Sequence, residues 1–285
     1  MARASLEADP LRPTPAAAAE AWAARVRAGR EQVARLRQIE EPADFYGPMA
    51  SRFGQDPRRR GDAALEVLRS MASPAQSWLD IGAGGGRYAL PLALQVARVH
   101  AVEPSPSMVA VLRRGLAEHG IQNVEVHASP WPMDSGAPAG DVALLAHVGY
   151  DIEGFGRFLD AAEQAAGRCV TIMRAAGAGR ASHVLWPEIH GEPRVAYPML
   201  PELLVLLVAR GATPAVTLVD RGNWGYDSPE QLFEAIRRML WLRPGSEKDR
   251  RLERLVKERA TQREGAWEVD WSPMQDGVVT WATRS

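Results

Sequence analysis

The chain has one cysteine, Cys169, in 285 residues. A single thiol excludes an intramolecular disulfide and any cysteine-based zinc cluster. Its apolar setting, Cys169-Val170-Thr171-Ile172-Met173, reads as a buried strand, not as the surroundings of a nucleophile. Net charge is also missing: 34 Lys and Arg against 35 Asp and Glu leave −1. No overall field draws such a chain to nucleic acid or to an anionic membrane. The densest basic run, Arg58-Arg59-Arg60, stands alone and reads as a solvated loop. The longest apolar run, Leu203 to Ala209, is bounded by Glu202 and Arg210 and is too short to span a bilayer. Glu7 and Asp9 lie where a signal peptide would need an apolar core, so a cytoplasmic protein with no membrane segment is expected. There is no internal repeat. No pair of His, Asp or Glu stands at metal-ligand spacing along the chain, so no required metal is expected.

What is present is enough to fold. A hydrophobic fraction of 46% supports a large core without disulfides. The stretch Trp78-Leu79-Asp80-Ile81-Gly82-Ala83-Gly84-Gly85-Gly86-Arg87-Tyr88 reads as a buried strand, a glycine turn and a helix from Tyr88 to Ala97. Pro91 is tolerable there only near the first turn. Strand and helix then alternate. A strand spans Arg98 to Val102, and Ser105 caps a helix with Pro106 at its first position and Gly120 at its close. Strands at Val124–Val126, Asp141–His147 and Arg168–Met173 enclose a helix at Phe155–Ala166. Such alternation predicts a parallel sheet with helices on both faces and right-handed crossovers.

The flanks read differently. Residues 1 to 15, with Pro10, Pro13 and Pro15, suggest an extended or disordered start. From Ala16 to Ile39 a helix places Trp22, Val26, Val33, Leu36 and Ile39 near one face. It covers the ligand, packs on a second copy as a homodimer, or simply packs on its own core; the sequence leaves all three open. Residues 41–60 are a loop holding Tyr46 and Arg52, and a helix runs from Asp62 to Met71. Beyond Arg174, residues 175–180 read as flexible and His183 to Pro201 as irregular. A helix at Pro201–Arg210 and a strand at Val216–Val219 follow. Ser228-Pro229-Glu230-Gln231 starts another helix, a charged helix spans Ser246 to Ala260, and the last strand is Gly277–Ala282. The division is an N-terminal helical extension, 1–60, and a main domain, 61–285, with a C-terminal helical insertion at about 228–262.

A glycine turn alone does not name its nucleotide. Three residues narrow the choice. The third glycine of a dinucleotide fingerprint would fall at Arg87, where a side chain spoils close helix–strand packing. Asp80, at the strand end, repels a pyrophosphate but suits a cationic amino group. Glu103, ending the next strand, can accept two hydrogen bonds from a ribose diol.

These residues carry a resemblance. Leu79-Asp80-Ile81-Gly82-Ala83-Gly84-Gly85-Gly86 resembles the first motif of class I S-adenosylmethionine-dependent methyltransferases, and Ala101-Val102-Glu103-Pro104-Ser105-Pro106-Ser107-Met108 resembles the second. The resemblance covers about Ser77 to Met173. It implies a Rossmann-like, seven-stranded, mostly parallel sheet whose last strand is antiparallel, with helical cap insertions. By the same resemblance Asp80 binds the methionyl amino group, Gly82, Gly84 and Gly86 form the glycine turn, and Glu103 and Pro104 meet the ribose. Met108 lies against adenine or serves only as core. The sequence departs from the family after the third strand, where Ser129 stands in place of an acidic residue. Ser129 is left to accept one hydrogen bond, and Trp131 to stack on the purine.

The resemblance also places the methyl acceptor at the end of the fourth strand, Ala146-His147-Val148-Gly149-Tyr150-Asp151. His147 is read as the general base, or as a residue that only bonds locally. Tyr150 and Asp151, with Tyr46 from the early loop, are read as substrate-binding. No Asn/Asp-Pro-Pro-Tyr pattern follows the strand, which with the absent basic stripe argues against DNA. Trp186, Tyr197, Trp224, Tyr226, Trp241, Trp267 and Trp271 line an apolar pocket in part and fill a cap for the rest. The expectation is methyl transfer from S-adenosylmethionine to a small molecule, leaving S-adenosylhomocysteine. The alternatives are a non-catalytic S-adenosylmethionine-binding or partner-binding protein and, more distantly, an NAD-linked oxidoreductase.

Overall fold

The structure is a computed structural model that describes residues 13–175, 181–222 and 225–283. The chain opens with α1 (Pro15–Leu36), capped by Thr14, whose hydroxyl accepts the Ala17 N–H. A 3₁₀ turn (Gly47–Phe53) and α2 (Ala63–Met71) follow. Then come β1 (Ser77–Ile81), α3 (Ala89–Ala93), β2 (Arg98–Val102), α4 (Pro106–His119), β3 (Val124–His127), β4 (Gly140–Ala146), α5 (Phe155–Ala165) and β5 (Ala166–Arg174). The remainder is α6 (Ala181–His190), α7 (Leu200–Ala209), β6 (Ala215–Asp220), α8 (Pro229–Met239), α9 (Glu247–Arg259), the hairpin β7 (Thr261–Arg263) and β8 (Ala266–Glu268), and β9 (Gln275–Ala282).

Seven strands form one sheet in the order β3-β2-β1-β4-β5-β9-β6. β9 is antiparallel to both its neighbours, β5 and β6, while the pairs from β3 to β5 are parallel. The Rossmann-like sheet expected from the sequence is therefore the one that forms. Successive strand residues point to opposite faces, and both faces are apolar. Trp78, Val99 and Val142 pack on Leu65 and Leu68 of α2, Leu90 of α3 and Leu112 of α4. Leu79, Ile81, Ala143 and Leu145 pack on Trp22 and Val26 of α1, Phe155 of α5 and Leu203 of α7. Cys169 is buried in the latter core.

A third cluster joins Leu185 and Trp186 of α6, Leu232 and Ile236 of α8, and Leu252 and Val256 of α9. It forms a cap. The chain from 221 to 274 leaves β6 beside the start of β9, where Asp220 pairs with Gln275. That is the end at which the parallel strands finish, since Arg174 pairs with Asp276. The cap thus grows from the carboxyl end of the sheet, where ligands bind in open α/β folds.

Some local expectations change. The helix after the glycine turn is only Ala89–Ala93, not Tyr88 to Ala97, because the Ala97 N–H bonds to the Gln76 carbonyl and turns the chain back into the sheet. The irregular span His183 to Pro201 begins with helix α6, which carries Pro187 inside it. Its proline hid a face of Leu185, Trp186 and Ile189. The β7–β8 hairpin has no alternating apolar signal and was not anticipated. The expectations for residues 1–12, for 176–180 and for Trp224 lie outside the described residues. Among the described residues, no helix is long and apolar enough to cross a membrane.

Helix α1 packs on its own core. Trp22 stacks on Phe155 with ring centroids 4.6 Å apart, and its Nε1–H donates to the Ile152 carbonyl at 3.0 Å. Trp22→Ala should lower stability by about 3–5 kcal/mol, the usual cost of truncating a buried aromatic. Urea unfolding measures it; a variant within about 1 kcal/mol of the parent would mean α1 is not part of the core.

Candidate active site

The register of β1 and β2 pairs Ile81 with Val102, so both strands end at one level. Gly82 and Ala83 each donate their N–H to the Val102 carbonyl, at 2.8 and 3.1 Å. Gly82 has φ +76° and Gly84 φ +55°, conformations in which a side chain is strained. A Cβ on Gly84 would meet nothing within 4 Å, whereas one on Gly82 would meet Val148 at 2.5 Å. Gly86 instead faces Leu112 and Leu90, so its missing side chain serves packing.

Two carboxylates are buried at this turn. Glu103 is 6% exposed. One of its oxygens accepts the Gly84 N–H and the other the Ser105 N–H, both at 2.8 Å. Burial pushes its pKa up, and those two bonds oppose the shift. Asp80 is 1% exposed, and both its oxygens are buried without a hydrogen-bond partner. Burial, and then the Glu103 charge, push its pKa up to about 7; the nearby Ala89 N–H, short of a hydrogen bond of normal geometry, opposes this. A buried, poorly compensated carboxylate is the counterpart of a cationic ligand group. The residues therefore fit an aminoacyl-nucleoside such as S-adenosylmethionine.

The remaining residues expected around the cofactor are scattered along the same edge. Pro104 is exposed, and Met108 is buried on α4. The Ser129 hydroxyl donates to the Pro130 carbonyl at 3.1 Å. Trp131 donates from Nε1 to the Phe158 carbonyl at 3.3 Å and packs at the rim of the core. The early loop lies over this end. Asp44 accepts from the Ser105 hydroxyl at 2.9 Å and the Ser107 N–H at 3.1 Å, and a Cβ on Gly85 would meet Phe53 at 3.0 Å. Tyr46, 42% exposed, sits edge-on to Phe45 and Phe53.

At the end of β4, His147 has φ +58°, a strained backbone for a residue with a side chain. Its N–H is held by the Ile172 carbonyl at 2.8 Å. Nδ1 lies 3.2 Å from the Tyr150 hydroxyl, and Nε2 lies 3.6 Å from Asp276 Oδ2. Tyr150 accepts the Arg174 N–H at 3.0 Å, so its own proton points to Nδ1. The network then assigns the Nε2 proton to the Asp276 side. Asp276 is 2% exposed; burial raises its pKa, and Arg221, Arg174 and Arg87 oppose that. Asp151 is exposed, and its carbonyl accepts from Arg30 of α1 at 2.7 Å.

The sequence missed Asp276, which lies just before the expected last strand and meets His147 only through the sheet. It also missed Asp44. Of the cap residues, Trp186 is 2% exposed, and its ring is 4.1 Å from that of His190. His190 is held by burial, and then by Lys248, down to about 4, and it belongs to the cap's packing. His100, Glu125 and His127 come within 4.8 Å of one another. Linear spacing conceals that group because it spans two strands.

Residues 79–148 match the model of a family described as a methyltransferase domain. A curated relative, the 23S rRNA (uracil(1939)-C(5))-methyltransferase RlmD of Shewanella amazonensis, is 35% identical over 81 residues. That match covers 25% of this chain and 18% of the relative, so the chain spans about a fifth of its length. Among solved structures, the YcgJ protein of Bacillus subtilis aligns with a TM-score of 0.53 at 15% identity, over 78% of this chain and 98% of that one. A candidate methyltransferase of Bacillus halodurans C-125 aligns with a TM-score of 0.52 at 15% identity, over 78% and 99%. At that identity the likeness is one of fold.

Asp80 titrates at about 7 in the folded chain against its ordinary 3.8. Between those values the folded state keeps a proton that the unfolded state has lost, so this group makes stability fall as pH rises. Asp80→Asn should remove that slope and melt above the parent at about pH 8, with little gain at about pH 4. Thermal unfolding across this range tests it; an unchanged slope would show that Asp80 is not the buried acid described.

Proposed function

We propose that this chain is built on a methyltransferase domain of the class I, Rossmann-like type and transfers the methyl group of S-adenosylmethionine to a small-molecule acceptor. The observation that carries this reading is Asp80, buried with both oxygens unpartnered beside Glu103 at the ends of β1 and β2. When bound, S-adenosylmethionine supplies a sulfonium methyl carbon open to displacement by a nucleophile. Asp80 holds the methionyl ammonium through charge-assisted hydrogen bonds. Each Glu103 oxygen has one backbone donor and a further lone pair for a ribose hydroxyl. Gly82 and Gly84 let the backbone approach the methionyl end. Pro104, Met108, Ser129 and Trp131 border the adenosine end.

On the acceptor side, His147 takes up a proton through the Tyr150 hydroxyl, and the neighbouring Asp276 stabilises the imidazolium. Tyr150 and Asp151 line the acceptor, with Tyr46 contributed by the extension 1–60, while 61–285 is the catalytic domain. Alignment of acceptor and methyl group, and exclusion of water, supply the rest of the rate. A small acceptor suits a site roofed by the early loop and the cap. RNA, the substrate of the partial relative, is disfavoured by the net charge of −1.

Calorimetry with S-adenosylhomocysteine should show one site. Glu103→Ala should weaken it by about 1–3 kcal/mol, with melting curves confirming the fold. No binding by the parent protein would refute the reading. His147→Ala should leave that affinity intact and cut turnover by roughly 10²–10⁴-fold in a labelled-methyl screen over small acceptors. Binding without transfer to any acceptor class would favour the non-catalytic alternative.

A further inference from the structure

His100 lies on β2, and Glu125 and His127 lie on the neighbouring edge strand β3. The parallel register sets His100 opposite Glu125 and Val102 opposite His127. With a side-chain period of two, all three therefore leave the same face of the sheet. Their ligand atoms converge. His100 Nδ1 is 3.3 Å from His127 Nε2 and 3.4 Å from Glu125 Oε2, and His127 Nε2 is 3.8 Å from Glu125 Oε1. Donor atoms around a tetrahedral zinc ion, at bonds of about 2.0–2.1 Å, lie about 3.3–3.4 Å apart. Two of the separations match, and a small rotation of the exposed glutamate closes the third. A hydrogen bond between two neutral imidazoles would account for the 3.3 Å contact. It would not account for a carboxylate converging on the same two nitrogens.

We infer that His100, Glu125 and His127 form a divalent-cation site of the zinc class that clips edge strand β3 to β2. The imidazole side chains are 13% and 17% exposed, while that of Glu125 is 57% exposed. The site therefore has a protein-lined floor and an open outer side, the arrangement of three protein ligands and one water. Two imidazoles and a carboxylate also suit zinc by ligand type. The His127 carbonyl accepts the N–H of both Glu103 and Ser129, each at 3.0 Å. An ion on the His127 ring thus steadies the segment that carries Glu103. The site does not rest on the methyl-transfer reading, because none of its three side chains takes part in that site.

The test uses the untagged full chain, stripped by dialysis against a chelator. Titration with zinc chloride in a calorimeter should show one ion per chain and raise the melting temperature. Cobalt(II) in the same site should give the intense visible absorption of a tetrahedral complex. His100→Ala and His127→Ala should each weaken zinc binding by more than the roughly 10–100-fold that losing an outer-shell partner costs. Glu125→Gln, at an exposed position that the fold tolerates, should weaken it in the same direction. His119→Ala, at the end of α4, should leave it unchanged. No stoichiometric zinc binding, or binding that survives both histidine substitutions together or ignores Glu125→Gln, would overturn the assignment.

Discussion

Asp80 and Glu103 are carboxylates buried together at the ends of adjacent parallel strands, and the upper edge of the sheet is arranged around that cost. The pairing of Ile81 with Val102 ends both strands at one level, so the two acids cannot avoid each other. Glu103 recovers part of its lost hydration from two backbone donors, and one of them, the Gly84 N–H, fixes the glycine turn. Asp80 has no comparable compensation. A like-charge neighbour and a dry surrounding both disfavour its ionised form. The surrounding core, with Trp78, Leu79 and Ile81 fully buried, stabilises a strand end that would not hold its place alone. A cation arriving there would relieve the repulsion and supply the missing hydrogen bonds, whereas a phosphate would add to the repulsion.

The surroundings of His147 are assembled from more distant segments. His147 and Tyr150 follow β4, Arg174 ends β5, and Asp276 is the second residue of β9. The antiparallel return of β9 sets Asp276 opposite Arg174, within reach of the imidazole. The strained φ of His147 turns its ring toward both partners while its N–H stays in the sheet. The roof is tied from two directions. Arg52 of the 3₁₀ turn stacks 4.0 Å over Tyr226 at the base of the cap. Gln38, beyond α1, bonds the backbone of Trp241 and Arg243 and the Ser246 hydroxyl. The early segment and the cap, far apart in sequence, thus close over one end of the sheet.

Legibility followed locality. The run of strand, glycine turn and helix from Trp78 announces itself because every part depends on near neighbours. Ser105, Pro106 and Gly120 mark α4 for the same reason: capping is a contact over three or four residues. Helix α6 was obscured by Pro187, since a proline normally argues against a helix interior. Helix α3 was overestimated because its apolar residues continue past the point where the sheet reclaims the chain.

The sequence by itself determined the alternating α/β order, the glycine turn, and the chemistry of Asp80 and Glu103 at two strand ends. These follow from periodicity, backbone freedom and the position of charge, all of which act over a few residues. Only the tertiary structure decided that Glu103 would hold Gly84, that Asp276 would stand behind His147, and that His100 would meet Glu125 and His127. Those contacts join residues from 19 to 129 positions apart through strand register. Register is set by which apolar faces bury together across the whole sheet, and no single segment contains that information.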